Sequence, residues 1–188
     1  MKYMIISDIH GSFKYTEAAL KHFDLIKADM LLVLGDILYH GPRNSLPNGH
    51  DPKTAAAMLN RYADKIVAVR GNCDAEVDQV MLKFPCMESY TMLVDDGRRI
   101  FLTHGHVYDE DSLPFALPEN SIYLSGHTHI RRLEKKNGLV LCNPGSISLP
   151  KTKTPNEKPI RSFAVYNSGE LALFDLDNPQ TPLEKLAL

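Results

Sequence analysis

Side chains able to bind a metal fall in short groups, each placed just after an apolar run. Asp8 and His10 follow Tyr3-Met4-Ile5-Ile6, and Gly35-Asp36 follows Met30-Leu31-Leu32-Val33-Leu34. Gly71-Asn72 follows Ile66-Val67-Ala68-Val69, His104 and His106 follow Ile100-Phe101-Leu102, and Gly126-His127-Thr128-His129 follows Ile122-Tyr123-Leu124. Imidazole and carboxylate without a cysteine pair favour Mn, Fe, Zn or a related first-row metal. An all-oxygen calcium cage or a Cys-rich structural zinc site would need other donors. The candidates exceed what one four-coordinate ion needs. Two ions about 3.5–4 Å apart would use them all by sharing a carboxylate. Asp36, alone at the end of its run, is the choice for that bridge. Water between two cations is acidic enough to supply hydroxide near neutral pH, which makes the expected chemistry metal-assisted hydrolysis. No single group carries this: a lone His is usually an ordinary residue, and Gly-Asn is a common turn. The ordered set does.

Such a set needs strands whose carboxyl ends converge, which is where open α/β sheets bind ligands. Asp8/His10 and His127/His129 are spaced by two, so an extended backbone would aim both members of each pair to one side. The first half alternates apolar strands with helical stretches. One helix is expected from a Ser12 cap to about Phe23, a second from Asp51-Pro52 to about Tyr62, and a third from Asp74 to Lys83, before Pro85. The second half reads as hairpins, with turns at Asp95-Asp96-Gly97, Asn137-Gly138 and Asn167-Ser168-Gly169. This order predicts an α/β fold of two face-to-face sheets with helices outside, an α/β/β/α sandwich forming one domain over residues 1–188. The polar stretch 150–159 is expected to be a loop within it.

Asp8-Ile9-His10, Gly35-Asp36, Gly71-Asn72, His104 and Gly126-His127-Thr128-His129, in that order, resemble the calcineurin-like metallophosphoesterase superfamily. Asn143-Pro144-Gly145-Ser146 extends the likeness, and the small size with Gly71-Asn72-Cys73-Asp74 is similar to its compact YfcE-like phosphodiesterase branch. The resemblance implies a first metal held by Asp8, His10, Asp36 and His129, and a second held by Asp36, Asn72, His104 and His127. It implies a two-sheet sandwich, two divalent ions with Mn²⁺ as first choice (Fe, Zn²⁺ or Ni²⁺ as alternatives), and phosphodiester hydrolysis. Asp36, Asn72, Cys73 and Asp74 are the candidate catalytic residues. Many members carry His, thought to protonate the leaving group, where this chain has Cys73. The thiol could supply that proton or be a small buried filler. Asp74 could orient a ligand or cap a helix. His106 could line the site or lie on the surface. His40, Arg43, Asn44 and His50 occupy a loop suited to substrate choice, with Arg43 either a phosphate contact or a solvated side chain.

Composition limits the alternatives. The chain has 188 residues, 44% hydrophobic, with a formal net charge of −2. No basic excess points to a stable nucleic-acid complex, and no apolar run approaches the roughly 18–20 residues needed to span a membrane. Three cysteines without CxxC spacing read as reduced thiols in a cytoplasmic protein. The expected partner is a small phosphodiester or nucleotide-like substrate; a homo-oligomer is open. Two other functions compete: a protein-binding scaffold of the same fold with a degraded metal site, and a phosphomonoesterase or dinucleoside polyphosphate hydrolase. A complete ligand set argues against the scaffold.

Overall fold

The computed structural model describes residues 1–188. Its strands are β1 (Lys2–Ile6), β2 (Met30–Val33), β3 (Ile66–Ala68), β4 (Tyr90–Asp95), β5 (Arg98–Thr103), β6 (Ile122–Leu124), β7 (Arg132–Lys136), β8 (Leu139–Asn143), β9 (Ser162–Asn167), β10 (Glu170–Asp175) and β11 (Pro182–Ala187). Its helices are α1 (Phe13–Leu25), α2 (Pro52–Leu59), continued by a 3₁₀ stretch at Asn60–Lys65, and α3 (Glu76–Met81). No helix is long and apolar enough to cross a membrane.

One sheet has the order β11-β10-β9-β1-β2-β3 and the other β4-β5-β6-β8-β7. Strands β1, β2 and β3 run parallel, as do β5, β6 and β8, so within each sheet their carboxyl ends point one way. Alternation sorts the side chains. Ile5, Leu32 and Leu34 face Ile100, Leu102, Ile122, Leu124 and Val140 of the second sheet. Their neighbours Met4, Ile6, Leu31 and Val33 pack against Tyr15, Ala19 and Phe23 of α1 and Ala55 and Leu59 of α2. The two-sheet sandwich is as expected. The outer face of the second sheet, at Phe101, Tyr123 and Leu141, packs against Tyr108, Leu113 and Leu117 of an irregular segment rather than a regular helix.

Local signals hold at two of the three expected helix caps and at the hairpin turns. Ser12 accepts the Tyr15 amide and Asp51 the Thr54 amide at the starts of α1 and α2. The hairpin turns place Asp96, Gly97, Asn137 and Gly138 at positive φ. Helix α3 is shorter than expected, and Ala75, not Asp74, is its N-cap.

Candidate metal centre

The strand ends converge as the sequence pattern required. Asp8 and His10 follow β1, Asp36 follows β2, Asn72 follows β3, His104 follows β5, and His127 and His129 follow β6. Backbone bonds tie the loops together: the Asp8 amide donates to the Gly35 carbonyl at 3.2 Å, His10 to Asp36 at 2.9 Å and Gly126 to His104 at 3.0 Å. Ser146 and Ser148 hydroxyls donate to the Asp8 carbonyl at 2.7 and 2.9 Å. Asn143 donates to the Gly126 carbonyl at 2.6 Å, which makes the Asn-Pro-Gly-Ser segment a buttress for two ligand loops.

The loops differ from the expected extended geometry. Asp8, His10, Asp36, His127 and His129 have φ of 53°, 50°, 53°, 67° and 61°. Left-handed backbone, not strand alternation, turns these side chains inward. Gly71 and Gly126 are needed for a different reason, close approach. A Cβ on Gly71 would overlap the Asp36 amide and carboxylate, and one on Gly126 would overlap the Ser7 hydroxyl.

Backbone carbonyls orient the rings. Nδ1 of His10 bonds Tyr39 O at 2.8 Å, that of His104 bonds Leu34 O at 2.6 Å, and that of His129 bonds Leu149 O at 2.6 Å. A carbonyl only accepts, so Nδ1 carries the proton and Nε2 is left facing the cluster. The Nε2 atoms of His10 and His129 are 3.2 Å apart, and His129 Nε2 is 3.3 Å from Asp8 Oδ1. Asp8 Oδ1 is buried without a hydrogen-bond partner, while Oδ2 accepts the His127 amide at 3.1 Å. Two lone pairs and an unsatisfied carboxylate oxygen facing one another suit a cation, so the residues fit a metal. Asp36 lies between two halves: Oδ2 is 3.7 Å from His10 Nε2, and Oδ1 is 3.5 Å from His104 Nε2. Asn72 Oδ1 contacts His104 Nε2 at 3.1 Å and His127 Nδ1 at 2.7 Å. Asp8, His10 and His129 form one group able to hold an ion; Asp8, Asp36 and His104 form a second, and His10, Asp36 and Cys73 a third.

Asp74 does not cap α3. Its carboxylate accepts amides from Asp36 at 2.8 Å, Ile37 at 2.7 Å and Gly71 at 2.7 Å, clamping the loops after β2 and β3. Cys73 is half-buried, its amide donating to Asp36 Oδ1 at 2.8 Å. His106 is exposed, with its ring 5.2 Å from that of His104; the rings of His40 and His50 pair with each other at 5.3 Å. Lys151, which the sequence reading passed over, lines the same cleft as Arg43, Asn44 and the candidate ligands. Its signal was only a cation in the polar stretch 150–159.

Burial raises the Asp8 carboxyl to about 7. Burial also favours the neutral form of Asp36, but the hydrogen bond and charge of His104, with the Cys73 amide, hold it well below the usual carboxylate range. His104 is its counterpart: burial opposes its charge, yet Asp36 and Asp8 raise it to about 9. Burial drives His129 to about 4 and lowers His10 and His127. At neutral pH the metal-free cluster therefore carries a proton on His104 and a partial one on Asp8. Cation binding must expel both, so affinity should rise with pH from about 6 to 9. Calorimetric titration with Mn²⁺ at pH 7, in two buffers of different ionisation enthalpy, should show one to two protons released (roughly one from His104 plus half from Asp8). Equal heats in both buffers would contradict this.

These features define a calcineurin-like phosphoesterase, and the chain belongs to that superfamily: residues 1–167 match its domain. The phosphodiesterase YfcE of Escherichia coli K12 is 42% identical over 188 residues, covering all of this chain and 98% of that protein. The solved structure of the E. coli YfcE phosphoesterase superposes with a TM-score of 0.92 at 41% identity, covering 100% of this chain and 99% of that one. Vps29 from Entamoeba histolytica, solved with zinc, has a TM-score of 0.62 at 17% identity over 100% of this chain and 99% of its own, a likeness of fold alone.

Proposed function

We propose that the chain is a metal-dependent phosphodiesterase, a phosphoric diester hydrolase working at the cluster after the strand ends. The observation that carries this is the position of Asp36, whose two carboxylate oxygens face His10 on one side and His104 on the other. Full-length similarity to YfcE supports the diester as the bond cleaved. Asp8, His10, Asp36 and His129 would hold one divalent cation, and Asp36, Asn72, His104 and His127 the other. The mixed oxygen and nitrogen donors support Mn²⁺ as first choice, with Fe, Zn²⁺ or Ni²⁺ as alternatives. Bound divalent cations supply Lewis acidity: they neutralise phosphoryl oxygens and make hydroxide available near neutral pH.

The chain's own residues do the rest. Carbonyl bonds from Tyr39, Leu34 and Leu149 hold the imidazoles in one tautomer and orientation. Asp74 fixes the backbone of Asp36 and Gly71. Cys73 would hold the proton for the leaving oxygen: burial, with the Asp36 charge beside it, pushes its thiol to about 12. It therefore stays protonated at neutral pH and gives up its proton only to a strongly basic oxygen, such as an alkoxide.

Residues 1–188 are read as one domain, because β1 sits between β9 and β2 and so joins both ends of the chain in one sheet. Three free cysteines, two of them buried, support a cytoplasmic location. The substrate is read as a small phosphodiester or nucleotide-like molecule, with no nucleic-acid or membrane partner; a homo-oligomer is compatible with the fold.

Metal-stripped protein assayed on an aryl phosphodiester and the matching monoester, with Mn²⁺ restored, tests the function. Metal-dependent cleavage of the diester with little of the monoester is expected, and the reverse preference would overturn the reading. In the same assay, Cys73→Ala should keep aryl diester turnover within about threefold while slowing an alkyl diester by about 10²-fold. Equal losses on both would assign Cys73 to structure.

A further inference from the structure

The cleft beside the candidate ligands has a volume of about 410 Å³ and is lined by polar side chains apart from Gly41, Pro42 and Cys73. Asp36, Asn72, His127 and His129 contribute the metal-facing part, and the exposed Arg43 and Lys151 contribute two cations. Both are held by their backbone surroundings. Arg43 follows a left-handed Gly41 at φ 80°, in a loop where the Asn44 side chain donates to the His40 carbonyl at 2.9 Å. The Lys151 amide donates to the carbonyl of His129 at 3.0 Å, which ties this cation to a ligand-bearing loop.

Neither cation has a carboxylate partner. The ion-paired basic side chains are Arg131, Arg132, Lys136 and Arg161, all elsewhere. Two unpaired cations at one polar cleft are suited to an anion, Arg by its planar fork and Lys as a point charge. No phenyl or phenol ring lines the cleft, and its two imidazoles, His127 and His129, are candidate metal ligands. A phosphodiester carries one negative charge, and that charge belongs at the metal-facing end. Arg43 and Lys151 are then left for charge elsewhere on the substrate.

We propose that Arg43 and Lys151 form an anion subsite for one alcohol arm, so that the substrate is a phosphodiester whose arm bears a carboxylate or a further phosphate. This rests on the phosphodiesterase reading and narrows it to a substrate class. The subsite selects by binding, so its signature lies in KM and Kd rather than kcat.

The test uses the full-length, Mn²⁺-loaded protein and two nitrophenyl phosphodiesters that differ only in an arm ending in carboxylate or carboxamide. Their non-hydrolysable methylenephosphonate analogues are titrated by calorimetry in parallel. The carboxylate arm is expected to bind about tenfold more tightly at low salt, with a matching drop in KM, and to lose most of that advantage in about 0.5 M NaCl. The double variant Arg43→Gln/Lys151→Gln should bring the two analogues within about twofold of each other. Equal binding of the analogues by the parent protein would overturn the subsite. So would a double variant that weakens both arms alike, since the cations would then serve the reacting phosphate. Two charged-arm forms, one ending in a carboxylate and one in a phosphate, separate the possible sources. Preference in calorimetry without turnover of either diester would leave the subsite standing and overturn the phosphodiesterase reading. Turnover of both diesters with equal binding would do the opposite.

Discussion

Asp36→Asn is expected to lower diester turnover by about 10³-fold or more and to weaken binding of both cations. The residue is nearly fully buried and points one oxygen to each half of the cluster. An amide keeps the shape but removes a negative charge that both cations would share. The lost Lewis-acid stabilisation amounts to several kcal/mol, and each 1.36 kcal/mol is tenfold in rate. The same change should reveal itself without catalysis. His104 is held at about 9 chiefly against burial by Asp36, so its pKa should fall in the metal-free variant and be visible by NMR titration. Wild-type turnover, or a His104 that still titrates near 9, would remove Asp36 from the bridging position.

The second large effect is expected from a residue outside the candidate ligand set. Asp74→Ala should cost about 4 kcal/mol of stability and weaken metal binding by about 10–100-fold. The carboxylate accepts three amides, from Asp36, Ile37 and Gly71, in a buried setting. Removing it leaves three donors unpaired, each worth about 1.5–3 kcal/mol when bonded to a charged group, with the sum reduced by relaxation. It also frees the loops carrying Asp36 and Asn72 to move apart. Asp74→Asn keeps an acceptor oxygen and should fall between the two. Urea denaturation of metal-free protein, alongside Mn²⁺ titration, separates folding from site geometry. Stability within about 1 kcal/mol of the parent for Asp74→Ala would sink the clamp.

Much of the fold and of the cluster was legible in the sequence because local chemistry and global position agree there. Ser12 and Asp51 cap helices by side-chain bonds that need no tertiary partner, and Asp96-Gly97 and Asn137-Gly138 turn the chain by their tolerance of positive φ. Each of these apolar runs ends where a candidate ligand begins, so strand order and candidate-ligand order could be read together. What was hidden is tertiary. Strand β11 has mostly exposed residues, and only Leu186 packs towards the inter-sheet core, so no alternation marks it. Helix α3 begins late because Asp74, which looked like its cap, is engaged by the loops after β2 and β3 instead. Lys151 enters the cleft from a stretch with no periodicity, placed only by its bond to the His129 carbonyl. The left-handed backbone at Asp8, His10, Asp36, His127 and His129 carries no glycine signal at those positions.

That backbone has a consequence for portability. A non-glycine residue in the left-handed region costs about 1 kcal/mol or more, somewhat less for Asp and His than for branched residues. A free peptide containing Gly126-His127-Thr128-His129 would relax to ordinary conformations and splay its imidazoles. The motif alone is thus not a metal-binding unit that can be cut out and grafted. What shapes it is distant in sequence: the Ser146 and Ser148 hydroxyls on the Asp8 carbonyl, and the Asn143 amide on Gly126. Transplanting the chemistry would mean transplanting those supports with it.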